Sequence, residues 1–230
     1  MLPANDEAEL IGACLDALVT AAAAAAVPVA ICVVLDDCRD ATAQRVASAA
    51  AAGTVADIVT VVITERSVGA ARRAGAANLL ARFGGSGTWL ATTDADSRVP
   101  PQWFVRQVDH ARRGADAVAG AVAVADWSER HPHVRTAAVG HYRRSDRHIH
   151  GANLGVRAEA YLDVGGFEAV RCHEDVALVR ALATAGYRVG WDNDLVVITS
   201  ARRSGRTPAG FSGFLNALEL AGDSAVPAAS

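Results

Sequence analysis

Apolar positions along this chain follow two rhythms. Leu10, Ile11, Cys14, Leu15 and Leu18 recur three and four apart, the spacing that gathers side chains on one face of a helix. Asn5 or Asp6 would cap that helix. Residues 29–35 form instead a continuous apolar run rich in β-branched side chains, as expected of a strand buried on both faces. Residues 58–63 repeat that pattern, with a helical stretch, 43–52, in between. Residues 66–83, opened by Ser67-Val68-Gly69, return to helical spacing, and glycines at 84–87 break the chain before the short apolar approach to Asp94. Strand, helix, strand, helix, strand predicts an α/β fold with a mostly parallel central sheet and helices on both faces. In such sheets ligands bind outside the carboxyl ends of the strands.

The second half is less regular. Pro100-Pro101 starts a helix reaching 113, and 118–124 reads as a strand. Gly151-Ala152-Asn153-Leu154-Gly155-Val156 is a small-residue segment that lets a ligand approach the backbone. Gly165-Gly166-Phe167 is a turn, and Glu174-Asp175 opens a helix carrying Val176, Val179 and Leu182. Residues 187–191 and 195–198 read as two further strands. Residues 199–206 form a basic loop, 211–220 a last helix, and the chain from about 221 is expected to fray. No repeat or linker interrupts the 230 residues, which predicts one domain.

Composition narrows the partners. Half the chain is hydrophobic and the net charge is −3, so bulk attraction to nucleic acid or to an anionic membrane is not expected. All 22 basic residues are arginine, which fits GC-rich coding rather than a particular chemistry. Cys14, Cys32, Cys38 and Cys172 show neither C-x-x-C nor zinc spacing, which points to a reducing, cytoplasmic compartment. No signal peptide is visible, and the alanine run at 21–26 is far shorter than the ~20 residues of a membrane span. Residues 126–150 hold five of the seven histidines and five arginines, without trustworthy metal-ligand spacing. That segment reads as an exposed helix and loop.

The chemistry concentrates at Thr93-Asp94-Ala95-Asp96-Ser97. Strand alternation puts Asp94 and Asp96 on one side. Two anionic oxygen donors there suit a hard divalent cation, Mg²⁺ or Mn²⁺, which would in turn hold a diphosphate. Taken alone, the same residues are equally good turn chemistry. Asp36, Asp37 and Arg66 fall at neighbouring strand ends, so five polar groups converge on one edge.

These pieces, in this order, resemble a family 2 glycosyltransferase of the GT-A (Rossmann-like) fold. Pro3-Ala4-Asn5-Asp6-Glu7 is similar to the family's first turn, and Asp36-Asp37-Cys38-Arg39-Asp40-Ala41-Thr42 to its acidic second turn. Asp94-Ala95-Asp96 matches the metal motif, Gly151 to Arg157 the G-A-N-x-G-x-R segment, and Glu174-Asp175 the E-D motif. The resemblance implies a nucleotide-diphospho-sugar donor and an acceptor of unknown kind, whether small molecule, lipid or glycan. Asp96 and Asp94 would hold the metal. Asp175, with Glu174 beside it, would take the acceptor's proton in an inverting reaction. Pro3, Ala4, Glu7, Asp36, Asp37, Arg66, Gly69, Arg73, Ala95 and Asn153 would line the donor pocket, with Arg202, Arg203 and Arg206 closing over the phosphates. Arg72 and Arg73 would otherwise face solvent.

One departure stands out. The family's first strand precedes the Pro3 turn and is essentially missing here, which predicts a truncated start and an unpaired edge on 29–35. That edge gives weight to a non-catalytic nucleotide-sugar-binding protein as the rival. A sugar-phosphate nucleotidyltransferase would need an early glycine-rich loop and a lysine, and a dinucleotide-binding oxidoreductase a G-x-G-x-x-G after a strand. The chain has none of these.

Overall fold

Two short parallel strands at the amino terminus set the frame. In the computed structural model, which describes residues 1–142, 147–203, 205 and 210–223, β1 (Leu2–Ala4) pairs with β2 (Ala30–Asp36), Leu2 opposite Val33 and Ala4 opposite Leu35. The first strand is therefore present, with Pro3 inside it. Proline is tolerated there because it needs no ladder donor at the start of a strand. On its other side β2 pairs in parallel with β3 (Asp57–Ile63) along its whole length, so β2 has a partner on both edges.

Alternation along β2 explains the layers. Ile31, Val33 and Leu35 pack with Ile11, Leu15 and Leu18 of α1 (Ile11–Ala24) and Val46 of α2 (Thr42–Ala51). Cys32 and Val34 face the other way, onto Ala71, Ala76 and Leu79 of α3 (Val68–Phe83). The expected cap of α1 is not made. Asn5 donates to the Asp36 carbonyl at 2.6 Å, and Asp6 accepts from Arg39 N at 2.6 Å, so both side chains tie the β1 turn to the β2 turn.

The second sheet has the order β4-β6-β5-β7. It comprises β4 (Trp89–Thr92), β5 (Ala117–Val124), β6 (Leu154–Arg157) and β7 (Val189–Thr199), with α4 (Trp103–Arg112) between β4 and β5. Met1 N donates to the Ala91 carbonyl at 2.7 Å, joining β1 to β4 across the two sheets. β6 runs antiparallel to both neighbours. The small-residue segment expected to let a ligand approach is a helical turn at Gly151–Asn153 followed by this strand, in which only Leu154 and Val156 are large apolar residues. The two strands expected at 187–198 are one, interrupted by a bulge where Gly120 pairs with Asp192 but Ala121 with Val196. Asp192 braces that bulge, accepting from Leu195 N at 3.0 Å, Arg106 Nε at 3.0 Å and His110 Nε2 at 2.9 Å. Its turn-like neighbours Asn193 and Asp194 are what made the strand read as two.

The remaining helices are α5 (Pro132–Tyr142), α6 (Ala158–Asp163), α7 (Glu174–Thr184) and α8 (Phe211–Asp223). α8 ends at Asp223, and the rest of the stretch expected to fray lies outside the described residues. α5 and α8 share a small apolar core of Val134, Ala138, Ala201 and Leu215. Arg130 is buried beneath it, donating to the carbonyls of Ala201 and Arg202 at 2.6 Å each. The described residues of 126–150 are thus not simply an exposed face.

Asn153 is a pin for the fold and not a donor ligand. It is fully buried, accepts from Trp103 Nε1 at 2.8 Å and donates to the carbonyls of Ala121 and Leu195 at 2.8 and 2.6 Å. Asn153→Ala strands one buried donor and two carbonyls, and an unsatisfied buried group costs about 1–3 kcal/mol. Urea denaturation is expected to show a loss of at least ~2 kcal/mol, while nucleoside diphosphate affinity of the folded variant is unchanged. A change in affinity with stability intact would return Asn153 to the pocket.

Candidate active site

The carboxyl ends of β1, β2 and β4 open into a cleft of about 830 Å³. Pro3, Ala4, Glu7, Asp36, Arg66, Asp94, Ala95, Asp96, Glu174, Asp175 and Arg202 all line it. Four non-glycine residues with positive φ, Asp6 (52°), Asp37 (51°), Arg66 (49°) and His173 (65°), sit in or beside its wall. Such conformations persist only where the surroundings enforce them, and they gather at functional sites.

Asp36 organises the β3–α3 loop. Its two carboxylate oxygens accept from Arg66 N at 2.8 Å and Ser67 N at 2.9 Å. Ser67 caps α3, accepting from Ala70 N at 3.3 Å. Asp37 lies outside the cleft. It pairs with the Arg66 and Arg39 guanidiniums, which hold its carboxyl below the usual range, and so it positions Arg66. Gly69 is also outside. Its N–H donates to the Val170 carbonyl at 3.0 Å, and a Cβ would collide with the Glu168 carbonyl. It serves close packing of α3 against the loop before α7.

The main correction concerns α3. Arg73 is exposed and away from the cleft, whereas Arg72 is 3% exposed and lines it. Arg72 Nε donates to Thr92 Oγ1 at 3.1 Å, Nη2 to Asp94 Oδ1 at 2.5 Å, and Nη1 to Glu174 Oε1. Its guanidinium carbon lies 6.0 Å from the centre of the Phe167 ring. Helical register held the signal: Gly75, Ala76 and Leu79, three, four and seven residues after Arg72, are all buried, whereas Ala77 and Leu80, four and seven residues after Arg73, are not. Glu174, 2% exposed, thus has its carboxylate committed to Arg72 and is a positioning residue.

Arg202 is the second buried bridge. Its two Nη atoms donate to the two Glu7 carboxylate oxygens at 2.6 Å each, and Nη2 stands 3.0 Å from Asp96 Oδ2. Burial still pushes the Asp96 carboxyl up to about 6, against the pull of Arg202. Arg203 points elsewhere, to the Glu129 carbonyl at 2.7 Å and Glu219 at 2.6 Å, and does not line the cleft. Arg206 lies outside the described residues.

Asp175 sits at the first turn of α7, half-buried and lining the cleft. Its Oδ2 accepts from Gly151 N at 2.6 Å and its Oδ1 from Val176 N at 2.8 Å. Gly151 must be glycine there, because a Cβ would meet the Arg72 guanidinium. The G-A-N segment therefore locks both Arg72 and Asp175. Sequence reasoning missed the far wall, to which His141, Tyr142, His148, His150, Phe211 and Phe214 contribute. No local motif marks these residues; the packing of α5 on α8 brings them together.

Among the described residues, no group of three or more His, Cys, Asp or Glu side chains is placed to hold a metal ion. Asp94 and Asp96 nonetheless offer hard oxygen donors on one wall. The donor set fits a divalent cation that takes further oxygens from a bound ligand, not one held by protein alone.

With this geometry, the comparisons with known proteins are direct. The chain matches the glycosyl transferase family 2 pattern over residues 1–195 and belongs to that family. Over 126 residues it is 27% identical to the glucosyl-dolichyl phosphate glucuronosyltransferase of Haloferax volcanii, a match spanning 46% of this chain and 40% of that protein's length. Its fold is similar to that of a Pyrobaculum calidifontis mannosyltransferase in complex with GDP-Man and Mn²⁺, with TM-score 0.67 and 19% identity over 94% of this chain and 67% of that one. It is also similar to Mycobacterium tuberculosis glucosyl-3-phosphoglycerate synthase in complex with Mn²⁺, UDP and glucosyl-3-phosphoglycerate, with TM-score 0.58 and 17% identity over 95% and 74% of the two chains. These likenesses show the GT-A fold. No described helix is long and apolar enough to cross a membrane.

The two α3 arginines make a paired test. Removing one partner of a buried ion pair costs about 3–5 kcal/mol, whereas an exposed substitution stays within about 0.5. Arg72→Met is expected to lose stability in the first range by chemical denaturation, and Arg73→Met in the second. Equal losses would contradict the bridge.

Proposed function

We propose that the cleft transfers a glycosyl group from a nucleotide-diphospho-sugar to an acceptor hydroxyl, with inversion at the anomeric carbon and Asp175 as general base. The observation that carries this reading is that Asp175 and the Asp94/Asp96 pair line one cleft, with Asp175 held by the Gly151 N–H. Family membership and the donors named for the two solved relatives support it. The unpaired strand edge that favoured a non-catalytic binding protein is absent from the sheet among the described residues.

Each residue then has a task. Pro3, Ala4, Asp36 and Arg66 form the wall that takes the nucleoside. Asp96 and Asp94 would hold Mn²⁺ or Mg²⁺ together with the donor diphosphate, and the cation would offset charge on the departing diphosphate. Arg202 stands beside Asp96, placed to turn its guanidinium onto phosphate oxygens. Asp175 takes the proton of the attacking hydroxyl, and Gly151 N–H fixes which oxygen faces it. Glu174, neutralised by Arg72, keeps the start of α7 in place without competing for that proton.

Asp175→Asn keeps shape and hydrogen-bonding length but removes the base. Turnover with the productive nucleotide sugar is expected to fall about 10²–10⁴-fold with donor affinity retained, as read by product formation and calorimetry. Near-normal turnover, or a product of retained configuration by NMR, would contradict the assignment.

A further inference from the structure

We propose that the far half of the cleft is a subsite for a neutral sugar ring, floored by Tyr142, His150, Phe211 and Phe214, so that the acceptor is a carbohydrate hydroxyl. This rests on the glycosyltransferase reading and specifies its acceptor.

Position is the first support. His150 directly precedes Gly151, whose N–H holds Asp175, so the ring cluster abuts the proposed base. The rings form a connected surface. Tyr142 and His150 stack with centroids 5.6 Å apart, His150 meets Phe211 edge-on at 6.3 Å, and Phe211 lies 6.2 Å from Phe214. All four line the cleft. Phe211 and Phe214 come from α8, beyond residue 195 where the family match ends.

Charge is the second support. Burial lowers the His150 imidazole to about 4 and pushes the Tyr142 phenol well above its usual value, so both are neutral at pH 7. The Tyr142 hydroxyl and His150 Nε2 are hydrogen-bonded at 2.9 Å, and in either direction the hydroxyl keeps a lone pair as an acceptor. The arginines described in the cleft wall are placed elsewhere. Arg72 and Arg202 bridge carboxylates, Arg66 pairs with Asp37, and Arg171 is exposed at the rim. Among the described residues, the floor therefore offers no buried arginine to an anionic acceptor. Aromatic faces edged with polar atoms match a sugar, whose ring presents C–H groups on its faces and hydroxyls at its edge. A purely aliphatic acceptor would leave the polar edges of Tyr142 and His150 unused.

The test uses the full chain with Mn²⁺ and UDP or GDP, the nucleotide's binding being measured first by calorimetry. Saturation-transfer NMR then compares methyl glucoside, mannoside and galactoside with 3-phosphoglycerate and octanol. At least one hexoside is expected to receive saturation at its ring protons. Tyr142→Ala and Phe211→Leu, the latter keeping bulk on α8, are expected to cut that signal at least fivefold at unchanged nucleotide affinity, while Tyr142→Phe keeps most of it. Nucleotide binding with no hexoside signal, preference for 3-phosphoglycerate or octanol, or a hexoside signal indifferent to both variants would overturn the subsite alone. Absence of nucleotide binding would overturn the glycosyltransferase reading and the subsite with it.

Discussion

A carboxylate-dense cleft must be neutralised before it can fold, and two arginines meet that constraint here. Glu7, Asp36, Asp94, Asp96, Glu174 and Asp175 all reach one space at the strand ends. Like charges 4 Å apart repel by about 4 kcal/mol at an effective dielectric of 20, so several together would exceed the stability of a domain. Arg72 bridges Asp94 to Glu174, and Arg202 bridges Glu7 to Asp96. Asp36 and Asp175 are satisfied differently, by backbone N–H groups. Each bridge joins elements distant in the chain, so charge balance and tertiary structure are fixed together.

The same bridges explain the division of labour. Arg72 is enclosed by Gly151, Phe167 and Thr92 and has no room to leave, which makes it part of the scaffold. Arg202 comes from the segment after β7, outside the family match, and stands against Asp96, whose carboxyl burial pushes up. It is therefore the cation best placed to be exchanged for another. In the proposed function that exchange is with a metal ion and a diphosphate.

Much of this was legible in the sequence, for identifiable reasons. A strand buried on both faces leaves a continuous β-branched run, so β2 was evident, and the acidic turns that end strands marked the cleft; β3 carries a similar run but is an edge strand with no fully buried residue, Val62 being 73% exposed. What failed was whatever tertiary context decides. β6 has four residues and too few apolar positions to declare itself. Asn153 looked like a ligand-facing amide and is instead buried among carbonyls. Arg72 and Arg73 are adjacent and chemically identical, and only helical register separates scaffold from surface. The histidines at 141, 148 and 150 carry no spacing rule, because the wall they form depends on α8, some 60 residues further along.

The central claim is that Asp94 and Asp96 hold a cation only jointly with a diphosphate, in competition with Arg202. Calorimetric titration of Mn²⁺ into the protein, alone and with saturating UDP or GDP, measures this directly. The account predicts weak binding to the protein alone and at least tenfold tighter binding with the nucleotide, with the gain lost in Asp96→Asn. Equal Mn²⁺ affinity with and without nucleotide, or a gain that survives Asp96→Asn, would contradict it.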